Sequence, residues 1–261
     1  MPLVKSAQRV ADLLELVAQH PPGLSYSELL AASDLPKSSL HALLTTLVHE
    51  DLLRYNPLGK RYGLGSRLFA MASGYAAQFQ IAPAAWPYMA AIRDELNETV
   101  QLAVLNGPMV VYLAKVESRR PMQLASAVGS RLPAYATGIG QALLATLSDT
   151  ELDLHIPSGQ WNAFTEETVT SRAQLRLKLE NTRRAGYATD LGEYSPDTRC
   201  VAVPVLDKDH QAVGAISISV SASRFDDVLR DGLAAVLSEK AYALSQQLGA
   251  SDPGRWHRQS E

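Results

Sequence analysis

Two proline-marked breaks separate three apolar helical stripes in the first 50 residues, and few folds accept that order. Val10, Leu13, Leu14 and Val17 recur at helical spacing. His20-Pro21-Pro22-Gly23 stops that helix. Ser25-Tyr26-Ser27-Glu28 has the form of a capping box, in which a hydroxyl and a carboxylate satisfy free amides, and predicts a short helix to Ala32. Asp34-Leu35-Pro36 breaks the chain again, since proline in a first turn sacrifices no hydrogen bond. Leu40, Leu43, Leu44 and Leu47 form the third stripe. Helix, short helix, tight turn and helix is the helix-turn-helix plan. Leu53-Arg54-Tyr55 and Lys60-Arg61-Tyr62 flank Asn56-Pro57-Leu58-Gly59 and predict a β-hairpin, a wing on that module.

The winged module accounts for only residues 1–65 of a 261-residue chain, so a second domain is expected. Residues 66–82 read as a linker helix. Its apolar Leu68, Phe69, Tyr75 and Phe79 suit a contact between two copies or packing within one chain equally well. From Val100 the texture changes to short β runs at 100–106, 109–116, 201–206 and 212–220. Helical stretches lie near 139–147, 171–185 and 225–248. The mixture predicts an α+β domain over 83–250, with helices flanking a sheet. A polar tail, 251–261, is expected to be frayed.

Charge places limits on function. Residues 1–65 carry six Lys/Arg and six Asp/Glu, so no broad positive field attracts nucleic acid. Any such affinity must come from local placement. With Leu40 at the centre of the buried stripe, Ser38, Ala42, Thr45 and His49 point outward, flanked by Ser39 and His41. Lys37 sits in the first turn, where free amides and the helix dipole favour a phosphate. Small hydroxyls let the backbone approach a major groove. Lys37, Ser38, Ser39, His41 and Thr45 are therefore the candidate DNA contacts, with Lys60 and Arg61 on the wing. The competing reading is a solvated helix in a protein-contact module.

Three stretches, SAQRVADLLELV, LPKSSLHALLTTLVHEDLL and RYGLGSRLFAMA, resemble the N-terminal domain of the IclR family of bacterial transcription regulators. The resemblance continues through LPAYATGIGQALLA, GYATD, RCVAVPVLD and AISISV, in order, from about Ser6 to Ser223. One departure stands out: Ala42 occupies an outward position where the family often has arginine, a residue suited to guanine or phosphate.

The resemblance implies a GAF-like effector-binding domain with a central antiparallel sheet. Its pocket would use Gly138, Ile139, Asp190, Cys200, Ser217 and Ser219. It also implies a small organic acid, often a keto acid or an aromatic acid, as effector. The implied partner is double-stranded operator DNA, bound by a homodimer or a dimer of dimers. Taken alone, glycines before a helix more often form a turn, and Ser217 and Ser219 on one sheet face suit solvent slightly better than a pocket. Leu124, Tyr135 and Met122 are candidates to size the cavity, or are simple core.

Cys200 is the only cysteine, which leaves two alternatives, a cysteine-dependent enzyme or a redox sensor. Neither is favoured. His155 and His210 show no catalytic spacing, a resolving cysteine is missing, and a thiol in an apolar strand is commonly inert. No catalytic, metal-ligating or cofactor-binding set is expected among the six histidines and the acids. No signal segment and no run of roughly 18 apolar residues is found, so a cytoplasmic protein is expected.

Overall fold

The computed structural model describes residues 4–76, 78–120, 124, 126–157, 159 and 161–258. The chain divides into two compact units, residues 1–79 and 80–261. In the first, α1 (Lys5–Ala18), β1 (Leu24–Ser25), α2 (Tyr26–Ala32), α3 (Lys37–His49), β2 (Leu53–Asn56), β3 (Arg61–Leu64) and α4 (Ser66–Ala76) follow in order. The capping box forms: Glu28 N–H donates to Ser25 Oγ at 3.3 Å, and Ser25 N–H donates to Glu28 Oε2 at 2.7 Å. Leu13, Val17, Leu29, Leu40, Leu44, Leu47 and Leu53 make one core. Each such buried side chain is worth about 1.5–3 kcal/mol over the exposed state.

The wing gains a strand that its length hides. Two-residue β1 pairs with β3, giving the order β1-β3-β2. Gly23 permits this with φ +82°, because a Cβ there would meet the Tyr62 carbonyl oxygen at 2.6 Å. Helix α4 is tied to the base of the wing by Ser66, which donates to Asp51 Oδ2 at 2.5 Å, and by the Arg67–Glu50 ion pair.

The second unit begins with α5 (Ile81–Leu96), β4 (Thr99–Asn106), β5 (Met109–Val116) and β6 (Arg131–Pro133). It continues with α6 (Gly138–Leu144), α7 (Asp149–Leu152), α8 (Arg172–Ala185) and β7 (Ala188–Asp190). It ends with β8 (Thr198–Leu206), β9 (Ala212–Ser221), α9 (Asp227–Gln247) and α10 (Arg255–Arg258). The strands form one antiparallel sheet in the order β6-β5-β4-β9-β8-β7. Helices α6 and α8 cover one face, and α5 and α9 the other.

Three expectations shift. The linker helix expected over 66–82 ends at Ala76, and the next helix starts at Ile81; residues up to 79 fall in the first unit. The edge strands β6 and β7 are three residues long and escape a periodicity reading. The tail expected to fray from 251 is corrected as far as 258, because α10 buries Trp256 against the α6-side core. The buried indole offsets part of the ordering of these residues.

Candidate functional site

Helix α3 presents two faces of different chemistry. Leu40, Leu44 and Leu47 are buried, while Lys37, Ser38, His41, Ala42 and Thr45 are exposed and Ser39 is half-buried. Thr45 Oγ1 donates to the His41 carbonyl at 2.9 Å, which spends its proton and leaves oxygen as an acceptor. Lys60 is exposed at the hairpin turn, with φ +50°.

Arg61 is different. Its guanidinium donates to the Gly23 carbonyl at 2.7 Å and reaches both Glu28 carboxylate oxygens, at 3.2 and 3.4 Å. The wing arginine thus holds the wing to α2, while its side chain stays 41% exposed. Leu58 is 96% exposed in the wing turn.

In the second unit the strand register gathers residues far apart in sequence. Asp190 pairs with Cys200, Cys200 with Ser219, and Ser219 with Thr99, forming one row across four strands. In the neighbouring row Ala202 pairs with Ser217, and Ser217 with Gln101. Alternation then turns these polar side chains toward α6 and turns Val201, Ile216 and Ile218 toward α5 and α9. All six residues singled out, Gly138, Ile139, Asp190, Cys200, Ser217 and Ser219, line one cavity of about 40 Å³. Ser217 and Ser219 are buried, at 2% and 4% exposure, so the solvent reading of that face is excluded.

The donors and acceptors are distributed unevenly. Ser219 Oγ donates to Gln101 Oε1 at 3.2 Å, and Gln101 Nε2 donates to Ser126 Oγ at 2.5 Å. The Ser217 hydroxyl has no partner among the described residues. Asp190 Oδ1 accepts the amides of Gly192 at 2.9 Å and Glu193 at 2.8 Å. Burial nevertheless pushes the Asp190 carboxyl above its ordinary range, against these amides and Lys178. Burial, reinforced by Asp190 and Glu193, pushes the Cys200 thiol well up. A thiol so held cannot serve as a thiolate nucleophile or a readily oxidised sensor. None of the residues lining the cavity is a histidine.

Sequence reasoning missed Gln101, Tyr112, Ser126, Tyr194, Ser195 and Thr198 on the lining. Gln101 carried a signal, a lone amide inside the apolar run Val100–Val104. Leu124 lines the cavity as expected, whereas Tyr135 does not. Its ring lies against Trp161 at 4.8 Å, and its hydroxyl donates to the Asn162 carbonyl at 2.9 Å. Met122 lies outside the described residues.

A winged helix with a small polar helix face, joined in one chain to a sheet domain with a polar cavity, defines a DNA-binding regulator with an effector domain. Residues 6–57 match the IclR helix-turn-helix domain, and residues 73–246 match the bacterial transcriptional regulator IclR C-terminal domain. The chain belongs to the IclR family of transcription regulators. It is similar to the Escherichia coli HTH-type transcriptional regulator XynR, 32% identical over 95% of this chain and 99% of that one. It is also similar to the E. coli transcriptional repressor IclR, 29% identical over 86% of this chain and 82% of that one. Among solved structures it resembles the Thermotoga maritima IclR, with a TM-score of 0.76 and 27% identity over 94% of this chain and 99% of that one. These relatives are named as regulators or repressors, not as enzymes. No helix among the described residues is long and apolar enough to cross a membrane.

Proposed function

We propose that this protein is an effector-controlled regulator of a catabolic operon whose effector is a small carboxylate, a keto acid or an aromatic acid. Residues 1–65 grip operator DNA, residues 66–82 link, and residues 83–250 sense, all in the cytoplasm. The observation that carries the reading is the convergence of Gly138, Ile139, Asp190, Cys200, Ser217 and Ser219 on one cavity. The Ser217 hydroxyl, which has no partner among the described residues, is a ready donor to a carboxylate, and burial raises the Asp190 pKa, which lessens its repulsion of an acid. At about 40 Å³ the cavity is smaller than a keto acid or an aromatic acid, so an effector must widen it to enter. Lys37, Ser38, Ser39, His41 and Thr45 contact the operator, aided by Lys60 on the wing.

Two copies would read palindromic half-sites about one helical turn apart, as a homodimer or a dimer of dimers. The effector controls binding only through unequal affinity for two arrangements of the protein. Gel shift and footprinting on DNA upstream of its own gene and the adjacent operon, with and without keto and aromatic acids, test this reading. Failure to bind any such fragment under either condition sinks it.

A further inference from the structure

The cavity wall that carries Asp190 continues into a second acid. Glu193, three residues further along the β7–β8 connection, is 3% exposed. Its amide donates to Asp190 Oδ1 at 2.8 Å, so the two carboxyl-bearing residues are mechanically joined. Lys178 of α8 places Nζ 2.5 Å from Glu193 Oε1. Gln141 of α6 donates through Nε2 to Glu193 Oε2 and to the Tyr135 carbonyl. Gln141 Oε1 is buried and accepts no hydrogen bond among the described residues. Thr168 Oγ1 grips the Glu193 carbonyl at 2.5 Å.

Charge in this cluster is unbalanced. Two buried carboxyl groups face one ammonium, Lys178. Cys200 on β8 and Tyr112 on β5 also face the pair, and burial holds both neutral; Tyr194, next to Glu193 in the chain, lines the same cavity. An acidic effector brings a third carboxyl group against the same ammonium. Within a protein, like charges repel several times more strongly than in water. One proton taken up by the pair restores the balance. Burial already pushes Glu193 up to about 7, so uptake falls in the neutral range.

We propose that Glu193, held by Lys178 and Gln141 behind Asp190, is the proton acceptor of the sensing cavity, so that an acidic effector enters together with one proton. This rests on the carboxylate reading above. The only bond made is O–H: the proton leaves buffer or hydronium and adds to the Asp190–Glu193 pair, which titrates as a unit. Glu193 is a positioning residue and touches no effector. Linkage fixes the sign. Below about pH 7 the affinity for an acid is constant, and above it the affinity falls by up to tenfold per pH unit. A neutral amide of the same acid binds without this dependence.

Titration calorimetry on the full chain, with pyruvate and with benzoate as probes, tests the proposal. Runs at pH 7.5 in phosphate and in Tris, whose ionisation enthalpies differ, count protons. The expected result is uptake approaching one proton per acid bound, with Kd rising up to tenfold per unit between pH 7 and 8.5. In Glu193→Gln, checked for folding by melting, uptake falls to near zero and Kd becomes flat with pH. A merely structural Glu193 would weaken binding equally at every pH and leave the proton count unchanged. Acid binding without uptake in the wild type, or full uptake in E193Q, overturns the proposal. Should E193Q not fold, the wild-type proton count decides alone. If neither acid binds, the carboxylate reading falls and this proposal falls with it.

Discussion

Gly138 lies so close to Cys200 that a Cβ at position 138 would sit 2.6 Å from the Cys200 sulfur, and 3.1 Å from Asp190 Cβ. The first residue of α6 is therefore glycine because the sheet leaves no room for anything larger. Gly138→Ala must displace both β7 and the thiol. Overpacking of this kind costs about 1–3 kcal/mol. The expected outcome is a lower melting temperature together with loss of effector-induced stabilisation, since the displaced atoms are cavity wall. A variant that melts and binds like the wild type would show that Cys200 simply rotates away.

Arg61 and Lys60 are neighbours in sequence with different work to do. Arg61→Ala releases Gly23 and Glu28, and is expected to lower the melting temperature while leaving the salt dependence of operator binding unchanged. Lys60→Ala is expected to leave stability alone and to reduce the slope of log K against log salt by about 1, the signature of one lost phosphate contact. Interchanged outcomes would make Arg61, rather than Lys60, the wing's phosphate contact.

Ser38→Glu places a carboxylate on the exposed face of α3, next to the helix N-terminus. That end tolerates an acid, so the fold is expected to survive. Facing phosphate, the same charge is expected to abolish operator binding in a gel shift. Unchanged affinity with an unchanged melting curve would place the DNA surface elsewhere.

The sequence made the winged unit legible because its signals are local: stripes at helical spacing, a four-residue capping box, and proline at each break. The internal partners of Arg61 were hidden because Gly23 and Glu28 lie 38 and 33 residues away, and only the β1–β3 pairing brings them near. The cavity is the opposite case. Nothing local joins Asp190, Cys200, Ser219 and Thr99, which meet through register alone. The family resemblance supplied six positions. Ser126 is positioned by a loop and left no motif to find, whereas Gln101, positioned by the same register, showed only as a lone amide in an apolar run. Tyr135 misled because an aromatic beside a glycine turn resembles a cavity wall until Trp161 and Phe164 are seen around it.

Ser217 and Ser219 divide the work of the cavity floor. Ser219 is already engaged with Gln101, whereas Ser217 has no partner among the described residues. Replacing both with Ala removes two hydroxyls from a buried face and leaves Gln101 Oε1 without its donor. The double variant is expected to lose effector-induced stabilisation in a melting assay while still binding operator DNA. A retained shift would detach the effector from this cavity.

Glu193 also makes a prediction that needs no effector. A carboxyl group that binds its proton more tightly when folded stabilises the fold in acid, and that contribution disappears as pH rises through the folded value. For Glu193 the ordinary value is 4.5 and the folded value about 7, with burial the main cause and Lys178 opposing it. Stability from this group is therefore full below about pH 4.5 and gone above about 7. Acids with lowered values, such as the capping residue Glu151, act in the opposite sense, so the wild-type profile alone does not isolate the effect. The difference between Glu193→Gln and wild type does. Glutamine keeps the shape and cannot ionise, so its melting temperature relative to wild type is expected to rise from pH 5 to about pH 7 and to level off by pH 8. A difference constant across that range would mean that Lys178 fully compensates the buried charge, and that Glu193 is ionised at every pH tested.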